Sequence, residues 1–264
     1  MATLQPAHAQ LGTGAATPAS PAAAETIFSR HSALVRITHW IFALCFFALL
    51  LTGIEILISH PRFYWGETGN DLTKPWLQIP IPSSRNLVPT GYGYVLPDEN
   101  GWSRALHFEA AWLVLFTGVL YAIFGFVAGH FRKHLVPAGS DLSWRSLSAT
   151  IVGHLKFRRP HPSEAWSYNV LQRLSYLFVI FVLFPPIVWT GLAMSPTFTA
   201  AFPSSVILLG GKQTARTIHF LASIALVLFL GVHILMIALA GFWGRTRAMI
   251  TGRVSSSASP RERL

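Results

Sequence analysis

The chain has 264 residues, 52% hydrophobic and only 11% charged, less than half the share of charge carried by an ordinary soluble domain. That composition argues against a soluble enzyme, and the apolar residues are gathered into four blocks instead of being spread along the chain. The formal net charge of +10 falls mostly on one face of a membrane protein, as shown below, so it calls for no nucleic-acid partner.

Residues 1–29, with Ala, Pro, Thr and Ser prominent, have neither the basic start nor the apolar run of a signal peptide and are predicted to be a disordered tail. The membrane domain is predicted over residues 30–253. Its first span covers residues 33–58, with Arg36 and Glu55 near opposite ends, where each can snorkel to a membrane surface. Cys45, the only cysteine, can form no intrachain disulfide and reads as a small apolar packing residue.

Residues 60–103 follow, with Trp65, Trp76, Tyr92, Tyr94 and Trp102 among Pro75, Pro80, Pro82 and Gly91. A connection this long and this aromatic is expected to be ordered, as a cap and docking surface. The second span is predicted over 105–129, since residues 110–129 carry no Asp, Glu, Lys or Arg. In the next connection, Leu147, Ile151 and Leu155 at four-residue spacing predict a short amphipathic surface helix within 141–157. The third span covers 171–194 and contains Pro185 and Pro186, which predict a kink. The fourth covers 216–243, and residues 220–244 are free of charge. Residues 254–264 form a C-terminal tail.

With four spans, both termini and the middle connection share one side. That side carries fourteen of the Lys and Arg residues against six on the other, where six acids also lie. The excess predicts cytoplasmic termini.

Four histidines, His39, His107, His219 and His233, fall inside predicted spans, where an ionisable side chain needs a functional explanation. His219 and His233 are 14 residues apart, which puts them within about 40° of one helical face and about 21 Å apart along it. Counting depth through an up-and-down bundle sets His219 level with His107 and His233 level with His39. Two cross-helix pairs at two depths suit two stacked bis-histidine haems. Zinc fits worse, because no carboxylate or thiolate joins either pair.

Three of these histidines follow an arginine by three residues: Arg36 before His39, Arg104 before His107, and Arg216 before His219. The spacing places each guanidinium on its histidine's face, nearer the membrane surface, where it could bind a haem propionate or simply snorkel. Gly53, 14 residues after His39, and Gly118, 11 after His107, fall near the ligand faces and could leave room for a macrocycle or serve plain helix packing. The other histidines, including His60 and His130, lie in connections or at interfaces, where a solvated side chain is the ordinary expectation.

Taken in order, Arg36-Ile37-Thr38-His39-Trp40, Arg104-Ala105-Leu106-His107, Tyr168-Asn169-Val170-Leu171-Gln172-Arg173, Thr190-Gly191-Leu192, His219 through His233, and Arg247-Ala248-Met249-Ile250-Thr251-Gly252 resemble one family. It is that of the bacterial di-haem cytochrome b subunits of respiratory oxidoreductases. Its members include the formate dehydrogenase gamma subunit, the NiFe hydrogenase b-type cytochrome and the thiosulfate reductase cytochrome b subunit.

The resemblance implies an all-α, four-helix transmembrane bundle in the bacterial inner membrane enclosing two b haems. It implies the same ligand pairs, His39 with His233 and His107 with His219. It further implies electron transfer between the quinone pool and an extracytoplasmic partner, a molybdopterin enzyme by analogy, with an exchangeable quinone near Asn169, Gln172 and His233. The long outer connection departs from the formate dehydrogenase pattern, so the partner need not be the same. Two other expectations stay open: a stand-alone quinol oxidoreductase, and a membrane anchor or proton-relay protein without haem.

Overall fold

A computed structural model describes residues 27–29, 32–70, 72–80, 102–137, 142–144, 148, 152 and 170–255. Four helices are long and apolar enough to cross a membrane: Ala33–Ser59, Trp102–Val127, Val170–Met194 and Lys212–Leu239. Each has 25 residues or more, beyond the roughly 20 needed at 1.5 Å per residue. The first packs on the second, and the C-terminal half of the third packs on the fourth.

Side chains distribute in the opposite sense to a soluble core. Among the described residues the largest fully buried side chains are Thr52, Thr190 and Thr217, whereas Leu44 is 73% exposed, Phe116 66% and Leu228 65%. Small and hydroxylated residues let helices approach while large apolar ones face lipid.

Local chemistry explains where each helix begins, bends and stops. The Ser32 hydroxyl accepts the Val35 N–H at 3.3 Å, capping the first span. In the third, the turn Val179–Leu183 widens to a π-helix immediately ahead of Pro185 and Pro186. Prolines cannot donate to the carbonyls one turn back, and the wider turn absorbs that mismatch where the sequence predicts a kink. The fourth span differs from the expected 216–243: it starts at Lys212, after Gly211 at φ +117°, and stops at Leu239, just before Gly241 at φ +97°. The lack of charge through Gly244 marks apolar environment, but a left-handed glycine ends the helix inside that run.

A separate helix, Phe242–Thr251, then returns beneath the bundle. The strand after it, Arg253–Ser255, pairs antiparallel with Ile27–Ser29, Phe28 opposite Val254. The last three residues of the expected N-terminal tail are thus paired, and residues 1–26 lie outside the described residues. This end of the bundle is called the terminal side. Most of the amphipathic segment predicted within 141–157 lies outside the described residues.

At the opposite end, the hairpin side, Arg62–Phe63 and Leu77–Gln78 form a two-stranded hairpin, with Arg62 opposite Gln78. It seals the start of the fourth span. The Gly66 carbonyl accepts from Gln213 N–H at 3.0 Å and Thr214 N–H at 3.2 Å, and Glu67 Oε2 accepts from Lys212 N–H at 3.1 Å. These acceptors satisfy helix N-terminal N–H groups that have no partner within the helix. The Thr217 hydroxyl donates to the Tyr64 carbonyl at 2.6 Å. Residues 81–101 of the same connection lie outside the described residues, Tyr92 and Tyr94 among them.

Candidate cofactor site

The four intramembrane histidines meet as two pairs. His39, from the first span, faces His233, from the fourth, with ring centroids 6.4 Å apart and ring planes 49° apart. His107, from the second, faces His219, also from the fourth, at 6.3 Å and 60°. All four line one cavity of about 1610 Å³ that runs between the helices, well above the roughly 300–1,000 Å³ of a typical small-molecule pocket.

Neighbouring residues hold the rings. The His107 Nδ1 lies 2.9 Å from the Thr52 hydroxyl and the His219 Nδ1 lies 3.0 Å from the Thr190 hydroxyl. Phe229 stacks on the His233 ring at 5.8 Å, and Trp40 meets His39 edge-on at 5.3 Å. Gly53 and Gly191 give the hairpin-side rings their space: a Cβ would lie 3.6 Å from His107 Cε1 at Gly53 and 3.4 Å from His219 Cε1 at Gly191. Gly118 instead receives the edge of Phe42, 3.7 Å from where its Cβ would be.

The three arginines sit in different surroundings. Arg36 donates from Nη1 to the Ile250 carbonyl at 2.6 Å, tying the first span to the terminal-side helix. Its Nε is buried with no hydrogen-bond partner among the described residues. Arg216 gives both Nη2 hydrogens to backbone carbonyls, of His60 (2.9 Å) where the first span ends and of Arg62 in the hairpin, and lies 5.1 Å over the Phe63 ring. Its Nη1 also reaches Gln213 Oε1 at 3.4 Å. Arg104 lines the cavity at the same end.

Other residues depart from their sequence reading or extend it. His60 caps the first span through its backbone N–H and also lines the cavity. Burial and the Arg216 and Arg104 charges hold its imidazole below the usual histidine range. His130 lines the cavity and packs against Phe124 at 5.7 Å. Glu55, expected to snorkel, has Oε2 buried with no hydrogen-bond partner among the described residues. Gln172 lines the cavity, and Asn169 lies outside the described residues. Thr52 and Thr190 were not among the predicted site residues. Their sequence signal is a Thr-Gly step, which the second span also carries at Thr117-Gly118, and for Thr190 the Thr190-Gly191-Leu192 stretch as well.

This donor set fits haem. A linear axis of two metal–imidazole bonds of about 2.0 Å each puts ring centroids about 6.3 Å apart, which both pairs match. Among the described residues no three His, Cys, Asp or Glu side chains converge. Two imidazoles without a third protein donor suit a metal whose remaining positions a macrocycle fills. The buried Arg36 Nε, lacking an acceptor, suits a carboxylate at the terminal end.

Four apolar helices around a histidine-lined cavity define a multi-pass membrane protein of the cytochrome b kind. Comparison with known proteins agrees. The profile of the family "Prokaryotic cytochrome b561" matches residues 30–252, and the chain belongs to that family. A cytochrome b carries b-type haem and transfers electrons.

Among its relatives is the "Putative protein-methionine-sulfoxide reductase subunit YedZ1" of Azospira oryzae, 31% identical over 81% of this chain and 92% of the relative. Another is the "Formate dehydrogenase, nitrate-inducible, cytochrome b556(Fdn) subunit" of Escherichia coli, 23% identical over 83% of this chain and 81% of the relative. A third is the "Probable Ni/Fe-hydrogenase B-type cytochrome subunit" of Cupriavidus necator, 26% identical over 84% and 83%. The resemblance read from the sequence motifs points to the same family.

Proposed function

We propose that the chain is the membrane subunit of a respiratory oxidoreductase, holding one haem b between His39 and His233 and a second between His107 and His219. The observation that carries this reading is the repetition of one ligand-length separation, 6.4 and 6.3 Å, at two levels of one cavity. Bound haem b would supply one-electron iron chemistry. The protein's part is to fix the imidazoles, keep lipid and water from the metal axis and neutralise the carboxylate edges, with Arg36 at the terminal side and Arg104 and Arg216 at the hairpin side.

In this reading the terminal side is cytoplasmic in a bacterial inner membrane, supported by the sequence count that assigns fourteen of the twenty Lys and Arg residues to the termini and middle connection. An exchangeable quinone binds near His233, with Gln172 in the cavity wall and Asn169 three residues earlier in the sequence. The hairpin side receives an extracytoplasmic oxidoreductase, a molybdopterin enzyme. The relatives, each named as a subunit of an oxidoreductase, support an oxidoreductase partner; its molybdopterin type rests on the family analogy.

Single substitutions test the ligand pairs. His39→Ala and His233→Ala are each expected to remove the terminal-side haem and spare the other, and His107→Ala and His219→Ala to do the reverse, as read by haem content and redox titration. Any of the four retaining two six-coordinate haems would contradict the assignment.

A further inference from the structure

The hairpin-side histidines are held by a device that occurs twice. Thr52-Gly53 on the first span faces His107, and Thr190-Gly191 on the third faces His219. In both, the glycine admits the imidazole and the preceding threonine touches its Nδ1. Both threonines are almost wholly buried, at 1% and 0% exposure.

A hydroxyl has one hydrogen, and each of these is committed to its own helix. Thr52 donates to the Ala48 carbonyl at 2.7 Å and Thr190 to the Pro186 carbonyl at 2.6 Å. The hydroxyl oxygen therefore faces the ring as an acceptor, so Nδ1 must carry the proton. Nε2 is then the nitrogen with a free lone pair. The terminal-side pair is built otherwise: the His39 Nδ1 is buried with no hydrogen-bond partner among the described residues.

We propose that Thr52 and Thr190 are positioning residues that lock His107 and His219 as Nδ1–H tautomers and, through that hydrogen bond, make the hairpin-side imidazoles stronger donors to iron. The inference rests on the haem ligation proposed above. A hydrogen bond from the distal N–H fixes ring orientation and raises ligand basicity, which favours ferric iron. The hairpin-side potential is thereby held down by two side chains that touch neither iron nor macrocycle.

The test is a spectroelectrochemical titration, with electron paramagnetic resonance of the ferric state, on the full-length protein and its Thr52→Val, Thr190→Val, Thr52→Ser and Thr38→Val variants. Thr38 has the same bond to its own helix, 2.9 Å to the Leu34 carbonyl, and serves as the control. Thr52→Val and Thr190→Val are each expected to weaken the ferric preference of the hairpin-side haem about tenfold, an upward shift of about 59 mV for one electron. Its low-spin signal should change with it. Thr52→Ser should match the unsubstituted protein, and Thr38→Val should leave the hairpin-side haem unchanged.

A Thr52→Val protein with an unshifted hairpin-side haem overturns the proposal, as does Thr52→Ser behaving like Thr52→Val. Should Thr52→Val shed that haem, retention in Thr52→Ser at the original potential supports the hydroxyl's role, and loss there refutes it. An unsubstituted protein without a hairpin-side haem would sink the ligation reading and this inference together.

Discussion

Replacing Arg216 with methionine keeps an unbranched apolar stem over Phe63 and removes every guanidinium donor. The structure assigns that guanidinium two backbone acceptors, the carbonyls of His60 where the first span ends and of Arg62 in the hairpin, and a place over the Phe63 ring. Hydrogen bonds from a charged donor contribute about 1.5–3 kcal/mol each, and a cation over an aromatic ring adds about 0.5–1 kcal/mol. Allowing for partial rehydration of the freed carbonyls, docking of the hairpin should weaken by about 3 kcal/mol. At 1.4 kcal/mol per tenfold, that is an opening equilibrium raised roughly a hundredfold.

Hydrogen exchange reads this locally. The Trp76 N–H donates to the Phe63 carbonyl and the Ile79 N–H to the Pro61 carbonyl, both at 2.9 Å, so both amides are protected only while the hairpin holds. With reclosing faster than exchange, both should exchange about a hundredfold faster in Arg216→Met, while amides in the middle of the first span stay unchanged. Acceleration below about threefold would refute the assignment of Arg216 to the hairpin.

Two further outcomes follow from the same end of the molecule. Gly211→Ala is expected to lower thermal stability in detergent and expose residues 61–80 to protease: a Cβ there would lie 2.5 Å from the Gly66 carbonyl, and φ +117° costs an L-residue about 1–3 kcal/mol before that clash is counted. An unchanged melting temperature would contradict it. His60, depressed by burial and then by the Arg216 and Arg104 charges, should make hairpin docking pH-dependent. Above its ordinary value of 6.5 neither docked nor undocked form binds the proton; below it the undocked form takes up a proton that the docked form resists, so docking weakens as pH falls. Exchange at Trp76, corrected for the intrinsic rate, should show that loss between pH 7 and 5, and His60→Gln should flatten it; a flat profile before substitution would contradict the cause.

What the sequence made legible follows from how strongly each feature is constrained. A membrane demands about 20 apolar residues per span, so four spans could be placed within a few residues, and depth counting then paired His39 with His233 and His107 with His219 as the structure does. Helix ends were less visible, because absence of charge through Gly244 says nothing about the left-handed turn at Gly241. Interactions with backbone atoms were invisible. Arg216 also finds the carbonyls of His60 and Arg62, which carry no side-chain signature. Thr52 meets His107 across 55 positions of sequence, and only the repeated Thr-Gly step hinted at it.

The central claim is tested most directly by haem stoichiometry: the protein purified in detergent, its reduced-minus-oxidised spectrum recorded, and pyridine haemochrome measured per polypeptide. Two haems b per chain, both low-spin and six-coordinate, is the predicted result. One haem, or none, in folded protein expressed with ample haem would contradict it.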